Sequence, residues 1–155
     1  MRKGLAQIAL AVVAALAATA VIIALVVGTP VISFVMTYGC HGAEVDLAKS
    51  MKAHPIFTTY PPGATPQNAW YSSCDDDDRV VEVSHEYRLP DGEVDVLGFY
   101  RDLALRDGWT LSPEAGDNFC YTKDVAGNST DLTVWLADET FSVGLSSSIE
   151  GGGWC

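Results

Sequence analysis

Apolar residues in this chain fall into two regions with different spacing, and the first is a continuous run. No charged residue lies between Gly4 and Cys40, and the 23 residues from Leu5 to Val27 include only Gln7 and Thr19 as polar members. A helix of that length, at a rise of about 1.5 Å per residue, would be about 35 Å long and could cross a hydrocarbon core of about 30 Å. The pattern predicts an N-terminal transmembrane helix over residues 5–27.

A cleaved signal peptide and a lipidation signal are the two alternatives to a transmembrane helix. A cleaved signal peptide has an apolar core of about 7–15 residues, whereas the apolar run here continues through Val21–Val27, beyond the small residues Ala18–Ala20. Lipidation at Cys40 is a further alternative. We expect an uncleaved anchor, and because Arg2 and Lys3 precede it, the N-terminus should be cytoplasmic and the C-terminal domain extracytoplasmic.

In the second region, apolar residues recur at helix and strand spacings. Ala43–Ala53 reads as a short helix that ends before Pro55. Arg79–Leu89 alternates apolar and polar residues, as in a half-buried strand. Glu93–Asp107 carries an apolar stripe at helical spacing, followed by Gly108 at the position of a left-handed helix cap.

Three or four strands follow this helix, at residues 109–112, 118–123, 132–136 and 141–145. The order predicts an α+β fold, in which the transmembrane helix precedes a two-layer domain of one helix packed on an antiparallel sheet of four to five strands. The expected organisation is a cytoplasmic tip and anchor (1–36), a juxtamembrane helix and Pro/Gly-rich wrap (37–78), the extracytoplasmic domain (79–149) and a tail (150–155).

The charge of the chain restricts its partners. It contains 20 Asp and Glu residues against 9 Lys and Arg residues, for a net charge of −11. Because phosphate backbones would repel such a chain and no basic patch is present, we expect no nucleic-acid partner. The expected partners are the membrane, through residues 5–27, and another protein of the cell envelope.

Four cysteines, Cys40, Cys74, Cys120 and Cys155, all lie beyond the apolar run, which fits two disulfides in an oxidising compartment. Three pairings are possible, and we favour Cys74–Cys120 with Cys40–Cys155. Structural zinc sites draw their cysteines in close pairs, whereas these are separated by 34 or more residues, so we expect no zinc.

Asp75, Asp76, Asp77 and Asp78 form the most conspicuous polar run. Successive side chains of extended backbone point to opposite faces, so four adjacent aspartates do not converge easily on a calcium ion, which requires 6–8 oxygens. The principal interpretation is a solvated acidic loop, and weak calcium binding or a partner contact are the alternatives.

Catalytic candidates are few. His85 lies on the apolar face of the predicted strand, where a core histidine is expected, and Ser146–Ser148 lack the Gly-x-Ser-x-Gly pattern of a hydrolase nucleophile. We therefore expect no enzyme activity and no cofactor. Trp135 lies opposite Leu132–Leu136 in strand alternation, so it either packs beneath the segment 57–71 or forms an outward binding surface.

The stretch Leu97–Trp109 contains Phe-Tyr, then Leu three residues on, then Gly-Trp, and Pro61–Ala64 reads Pro-Pro-Gly-Ala. These motifs resemble those of uncharacterised small exported or membrane-anchored proteins of actinobacteria. The resemblance implies an extracytoplasmic address and carries over no catalytic residue.

The sequence therefore favours a single-pass protein of the cell membrane whose outer domain binds a ligand or assists a complex without catalysis. A calcium- or ligand-binding module that uses Asp75–Asp78 is the first alternative, and an unrecognised hydrolase is the second.

Overall fold

The computed structural model describes residues 12, 16–19, 21–32, 38–92, 94–112 and 119–151. The chain divides into two units, residues 1–38 and 39–155.

The first unit is helical over residues 21–32, and a π-helical turn at Ala24–Gly28 interrupts the α-helix. Most of the predicted transmembrane helix, residues 5–27, lies outside the described residues. Within the described ranges, no helix is long and apolar enough to cross a membrane. The predicted fold with an N-terminal transmembrane helix is therefore corrected, since the described helical segment is short and the π turn breaks its α-helical hydrogen-bond pattern.

The second unit is built on one antiparallel sheet of six strands with two helices. The strands are β1 (Thr65–Cys74), β2 (Val80–Arg88), β3 (Thr110–Leu111), β4 (Cys120–Val125), β5 (Asn128–Leu136) and β6 (Thr140–Ser148). Their order across the sheet is β1-β2-β6-β5-β4-β3. The helices are α1 (Gly42–Lys52) and α2 (Val96–Arg106), with a 3₁₀ turn at Pro55–Phe57.

The predicted sheet of four to five strands is wrong because it omits β1. Thr65–Cys74 falls in the segment that was interpreted as an irregular wrap, yet it pairs with β2 from Thr65↔Arg88 to Cys74↔Val81, with an irregularity between Pro66 and Trp70. It is an edge strand with most side chains exposed, so no buried face imposes the apolar alternation that identifies a strand in a sequence. The prediction of a single helix on the sheet is also incomplete, because α1 contributes Leu47 and Met51 to the core.

Elsewhere the element pattern follows the sequence closely. The alternation of β2 is confirmed, with Val81, Val83, His85 and Tyr87 all buried on one face. Helix α2 begins after Asp95, whose carboxylate accepts a hydrogen bond from the backbone N–H of Gly98 at 2.7 Å. The helix ends at Arg106, two residues before Gly108, which has φ +81° as the predicted left-handed position requires.

One face of the sheet carries the core. Phe141 on β6 stacks on Tyr87 of β2 with ring centroids 5.0 Å apart, and Tyr100 of α2 lies 5.9 Å from Phe141. Helix α2 therefore packs on this core face. The side chains that alternate with these along each strand point to the other face of the sheet, which is called the open face below. They include Glu82 and Glu86 of β2, Ser142 and Ser146 of β6, and Trp135 of β5.

Candidate functional site

A groove lies on the open face of the sheet, between β1 and β5. It has a volume of about 480 Å³ and is lined by Tyr71, Ser73, Cys74, Asp75, Val80, Glu82, Thr133, Trp135 and Ser146. These nine residues define the open-face groove. Its volume lies within the range of about 300–1,000 Å³ that is typical of ligand sites.

Strand register brings these residues together from distant parts of the chain. Ser73 of β1 pairs with Glu82 of β2, which pairs with Ser146 of β6. In the adjacent row, Gly144 of β6 pairs with Thr133 of β5. Neighbouring strands are about 4.8 Å apart, so the groove spans four strands from β1 to β5 across a floor of small and polar side chains.

Two exposed aromatic residues form the walls. Tyr71 projects from β1 with 54% of its surface exposed, and Trp135 projects from β5 with 52% exposed. This exposure shows that the segment 57–71 does not cover Trp135, and its role as a binding surface stays a prediction. An exposed tryptophan beside a hollow is the type of side chain that anchors a partner.

A second, smaller hollow of about 270 Å³ adjoins the groove on the other side of Tyr71. It is lined by Ala69, Trp70, Tyr71, Ser84, Glu86 and Ser142 and is called the Glu86 hollow. Glu82 in the groove and Glu86 in this hollow are both half-buried. Within the described part of the chain, neither carboxylate has a hydrogen-bond or ion-pair partner, so both are available to a ligand.

The aspartate run forms the turn between β1 and β2. Asp75 Oδ1 accepts hydrogen bonds from the backbone N–H groups of Asp77 (2.8 Å) and Asp78 (3.2 Å), and Asp76 Oδ1 accepts one from the N–H of Cys40 (3.1 Å). Two of the four carboxylates thus stabilise the local backbone. Among the described residues, no group of three or more His, Cys, Asp or Glu side chains is placed to hold a metal ion.

The disulfide pairing differs from the favoured one. Cys40 is bonded to Cys74, so the bond connects the chain two residues before α1 to the last residue of β1. Cys74 lies on β1 and Cys120 on β4, four strands apart in the sheet, which corresponds to about 19 Å and exceeds the reach of a disulfide. The favoured Cys74–Cys120 and Cys40–Cys155 pairings are therefore wrong. Cys120 also forms a disulfide, and Cys155 lies outside the described residues.

His85 is the buried core histidine that the sequence predicted, 7% exposed. Its Nε2–H donates to the carbonyl oxygen of Gln67 at 2.7 Å, and its Nδ1 lies 3.0 Å from the hydroxyl of Tyr87. The Tyr87 hydroxyl donates to the carbonyl oxygen of Phe57 at 2.6 Å. These bonds attach β1 and the 3₁₀ turn to β2, so His85 has a structural role.

His54 lies apart from the groove, 5.5 Å in edge contact with Trp109. Burial lowers the pKa of His54, the nearby Asp107 carboxylate opposes this, and Lys123 adds to the lowering, so the pKa lies below its ordinary value. Its Nδ1 accepts from the backbone N–H of Ile56 at 3.2 Å, as part of the 3₁₀ turn. His54 therefore also stabilises local structure.

Sequence reasoning identified Trp135 but not Tyr71, Glu82 or Glu86. The alternation of apolar and polar residues along β5 correctly places Trp135 on the outward face. Tyr71 lies on the strand that the sequence did not predict, and without β1 the glutamates of β2 looked like ordinary solvent-facing residues. A strand assigned to Trp70–Ser73 would have paired Tyr71 and Ser73 with β2 and indicated the groove.

In comparisons with protein-family models, with curated proteins and with solved structures, no match to this chain was found. The resemblance to small actinobacterial proteins stays a prediction.

Proposed function

We propose that residues 39–151 form an extracytoplasmic binding domain without catalytic activity, which holds its ligand in the open-face groove. The observation that carries this proposal is the groove itself: two exposed aromatic side chains, Tyr71 and Trp135, stand on different strands on either side of a polar floor. Exposed aromatic residues on a rigid sheet provide a large contact area at little cost in conformational entropy.

The disulfide supports the extracytoplasmic location. Cys40–Cys74 closes a loop with a sequence separation of 34, and Cys120 is also disulfide-bonded. Such bonds persist in oxidising compartments and are rare in the cytosol. The bond also anchors the end of β1, the strand that carries Tyr71, so it helps to hold one wall of the groove in place.

The side chains of the groove favour binding over catalysis. Glu82 and Asp75 are the carboxylates of its lining, and the lining contains no histidine or lysine that could act as a general base beside a nucleophile. The hydroxyl groups of Ser73, Thr133 and Ser146 provide hydrogen-bonding positions between the aromatic walls.

The proposal is tested with a photo-crosslinking amino acid at Ser73, inside the groove, in the full-length chain expressed in its native cells. Adducts of defined mass are expected on irradiation, and they should disappear when Trp135→Ala is added. The matched control carries the same amino acid at Asp102, which is exposed on α2 and therefore on the side of the core face. If the adduct yield is equal at Ser73 and Asp102, or is unaffected by Trp135→Ala, ligand binding in the groove is contradicted.

A further inference from the structure

We infer that the ligand of the open-face groove is a basic peptide segment, which lies extended across the open face with its Lys or Arg side chains beside Glu82 and Glu86. This inference rests on the proposed function and specifies its ligand. It is carried by the charge of the two hollows, by their aromatic walls and by their arrangement along one strand.

The charge of both hollows favours a cation. The groove is lined by Asp75 and Glu82 and the adjoining hollow by Glu86, and neither lining includes Lys, Arg or His. Glu82 and Glu86 are half-buried and have no ion-pair partner among the described residues. The whole chain has a net charge of −11, so the surrounding field also attracts cations and repels anions.

The aromatic walls favour the same ligand chemistry. Tyr71 separates the two hollows and contributes to the lining of both, while Trp135 lies at the far side of the groove. An ammonium or guanidinium group over the face of Trp or Tyr is attracted by the ring quadrupole, and a nearby carboxylate adds to this attraction. A carboxylate and an aromatic ring are therefore available to a basic side chain in each hollow.

The spacing of the carboxylates favours a peptide over a small molecule. Glu82 and Glu86 are four residues apart on one face of β2, which corresponds to about 13 Å at the rise of a strand. An extended peptide with basic residues at positions i and i+4 spans the same distance. Sites for small molecules enclose most of the ligand surface, whereas these two hollows are open to solvent and lie on either side of Tyr71, which lines both.

The test measures binding of the peptide Lys-Thr-Ser-Thr-Lys-amide, with fluorescein on its N-terminal amine, to the full-length protein by fluorescence anisotropy. The comparison peptide carries Gln in place of both Lys residues. We expect saturable binding of the Lys peptide that weakens as salt is added, and much weaker binding of the Gln peptide. Glu82→Gln and Glu86→Gln should each raise Kd about three- to fivefold, and Trp135→Ala about tenfold. Asp102→Asn, which removes a carboxylate from the opposite side of the domain, should leave Kd unchanged.

Three results would overturn the inference. Equal binding of the Lys and Gln peptides would remove the requirement for a cation. Equal Kd values for the wild type and both glutamate variants would remove the assigned contacts. Complete displacement of the peptide by tetramethylammonium or argininamide, at a concentration equal to the Kd of the peptide, would show that one small cation accounts for the site.

The same data separate this inference from the proposed function. If the Lys peptide fails to bind but crosslinking from Ser73 still depends on Trp135, the groove binds another kind of ligand and only the inference fails. If neither peptide binding nor Trp135-dependent crosslinking is observed, both the inference and the proposed function fail. Circular dichroism of each variant provides the check that the sheet is retained, since all the altered side chains are at least partly exposed.

Discussion

The indole ring of Trp135 lies over the backbone of Gly144 on the neighbouring strand. A methyl carbon at Gly144 would lie 2.8 Å from Cζ3 of Trp135 and 3.1 Å from Oγ1 of Thr133, so only glycine allows this position of the ring. The ring is thus held low on the open face as one wall of the groove. Gly144 is buried in the middle of β6, where a glycine weakens the strand but leaves room for the ring to approach the backbone.

We predict that the effect of Gly144→Ala on stability depends on whether Trp135 is present. In the wild-type background it should be neutral or destabilise by up to about 1 kcal/mol, because the ring must move away from the new methyl group. In the Trp135→Ala background it should stabilise by about 0.5–1 kcal/mol, because alanine restricts the unfolded chain more than glycine does.

Urea unfolding of the four proteins in this double-mutant cycle measures the coupling. Additive effects of the two substitutions would mean that the ring does not rest on Gly144 in solution. Binding of a ligand gives an independent reading, since Gly144→Ala should weaken it by displacing one wall.

The sequence predicts the parts of this fold in which burial imposes a pattern. Strand β2 alternates because one face is buried, and the parity of β5 correctly turned Trp135 outward. Strand β1 lies at an edge and is largely exposed, so its sequence carries no such pattern. Register between β1 and β2, which places Tyr71 beside Ser84, is a long-range property that local residue spacing does not encode.

The sequence predicts that disulfides are present but not which cysteines pair, because the pairing is also a long-range property. Cysteine count and composition indicate two bonds in an oxidising compartment, whereas the pairing depends on the order of strands in the sheet. Once β1 is at one edge and β4 near the other, Cys74 can reach Cys40 but not Cys120. The position of β1 at the sheet edge therefore also explains why Cys74 pairs with Cys40.

Removal of the Cys40–Cys74 bond should destabilise the second unit. In the chain-entropy model, a loop of this length contributes about 4 kcal/mol, and measured values are often lower, so we expect Cys40→Ser/Cys74→Ser to lose about 2–4 kcal/mol in urea unfolding. Peptide mapping without reduction provides the direct check, in which one disulfide-linked fragment should contain both Cys40 and Cys74. A fragment that links Cys74 to Cys120 would contradict the strand order described here.

Glu44 and Arg79 form an ion pair in which the glutamate is fully buried. Burial by itself raises the pKa of Glu44, but hydrogen bonds from the backbone N–H groups of His41 and Glu44, together with Arg79, outweigh it and hold the pKa below its ordinary value of 4.5. Glu44→Gln removes the buried carboxylate, whereas Arg79 keeps its more exposed pair with Glu150 at 3.3 Å, so we expect a cost of about 2 kcal/mol at pH 7.

The sign of the pH dependence follows from this lowered pKa. Between the folded and ordinary values, the unfolded chain binds more protons than the folded one, so the contribution of Glu44 is complete above pH 4.5 and is lost as the pH falls through the folded pKa. Urea unfolding from pH 7 to pH 3 should show the difference between wild type and Glu44→Gln shrinking. Asp46→Asn is the control, because its pair with Lys49 is exposed and contributes at most about 0.5 kcal/mol at any pH. A constant difference would show that Glu44 is not a titrating partner of Arg79.

The turn Asp75–Asp78 yields a prediction that separates a structural role from calcium binding. Asp75→Ala removes the acceptor for the N–H groups of Asp77 and Asp78 and should lower stability by about 1 kcal/mol, whereas Asp78→Ala removes the same charge without removing those bonds and should have little effect. Calcium requires 6–8 oxygens, and among the described residues no three carboxylates converge on one point, so the loop would have to rearrange to bind it. We therefore expect millimolar calcium to shift Tm no more than sodium chloride of equal ionic strength. A calcium-specific rise in Tm that disappears in Asp78→Ala would instead establish the loop as a metal site.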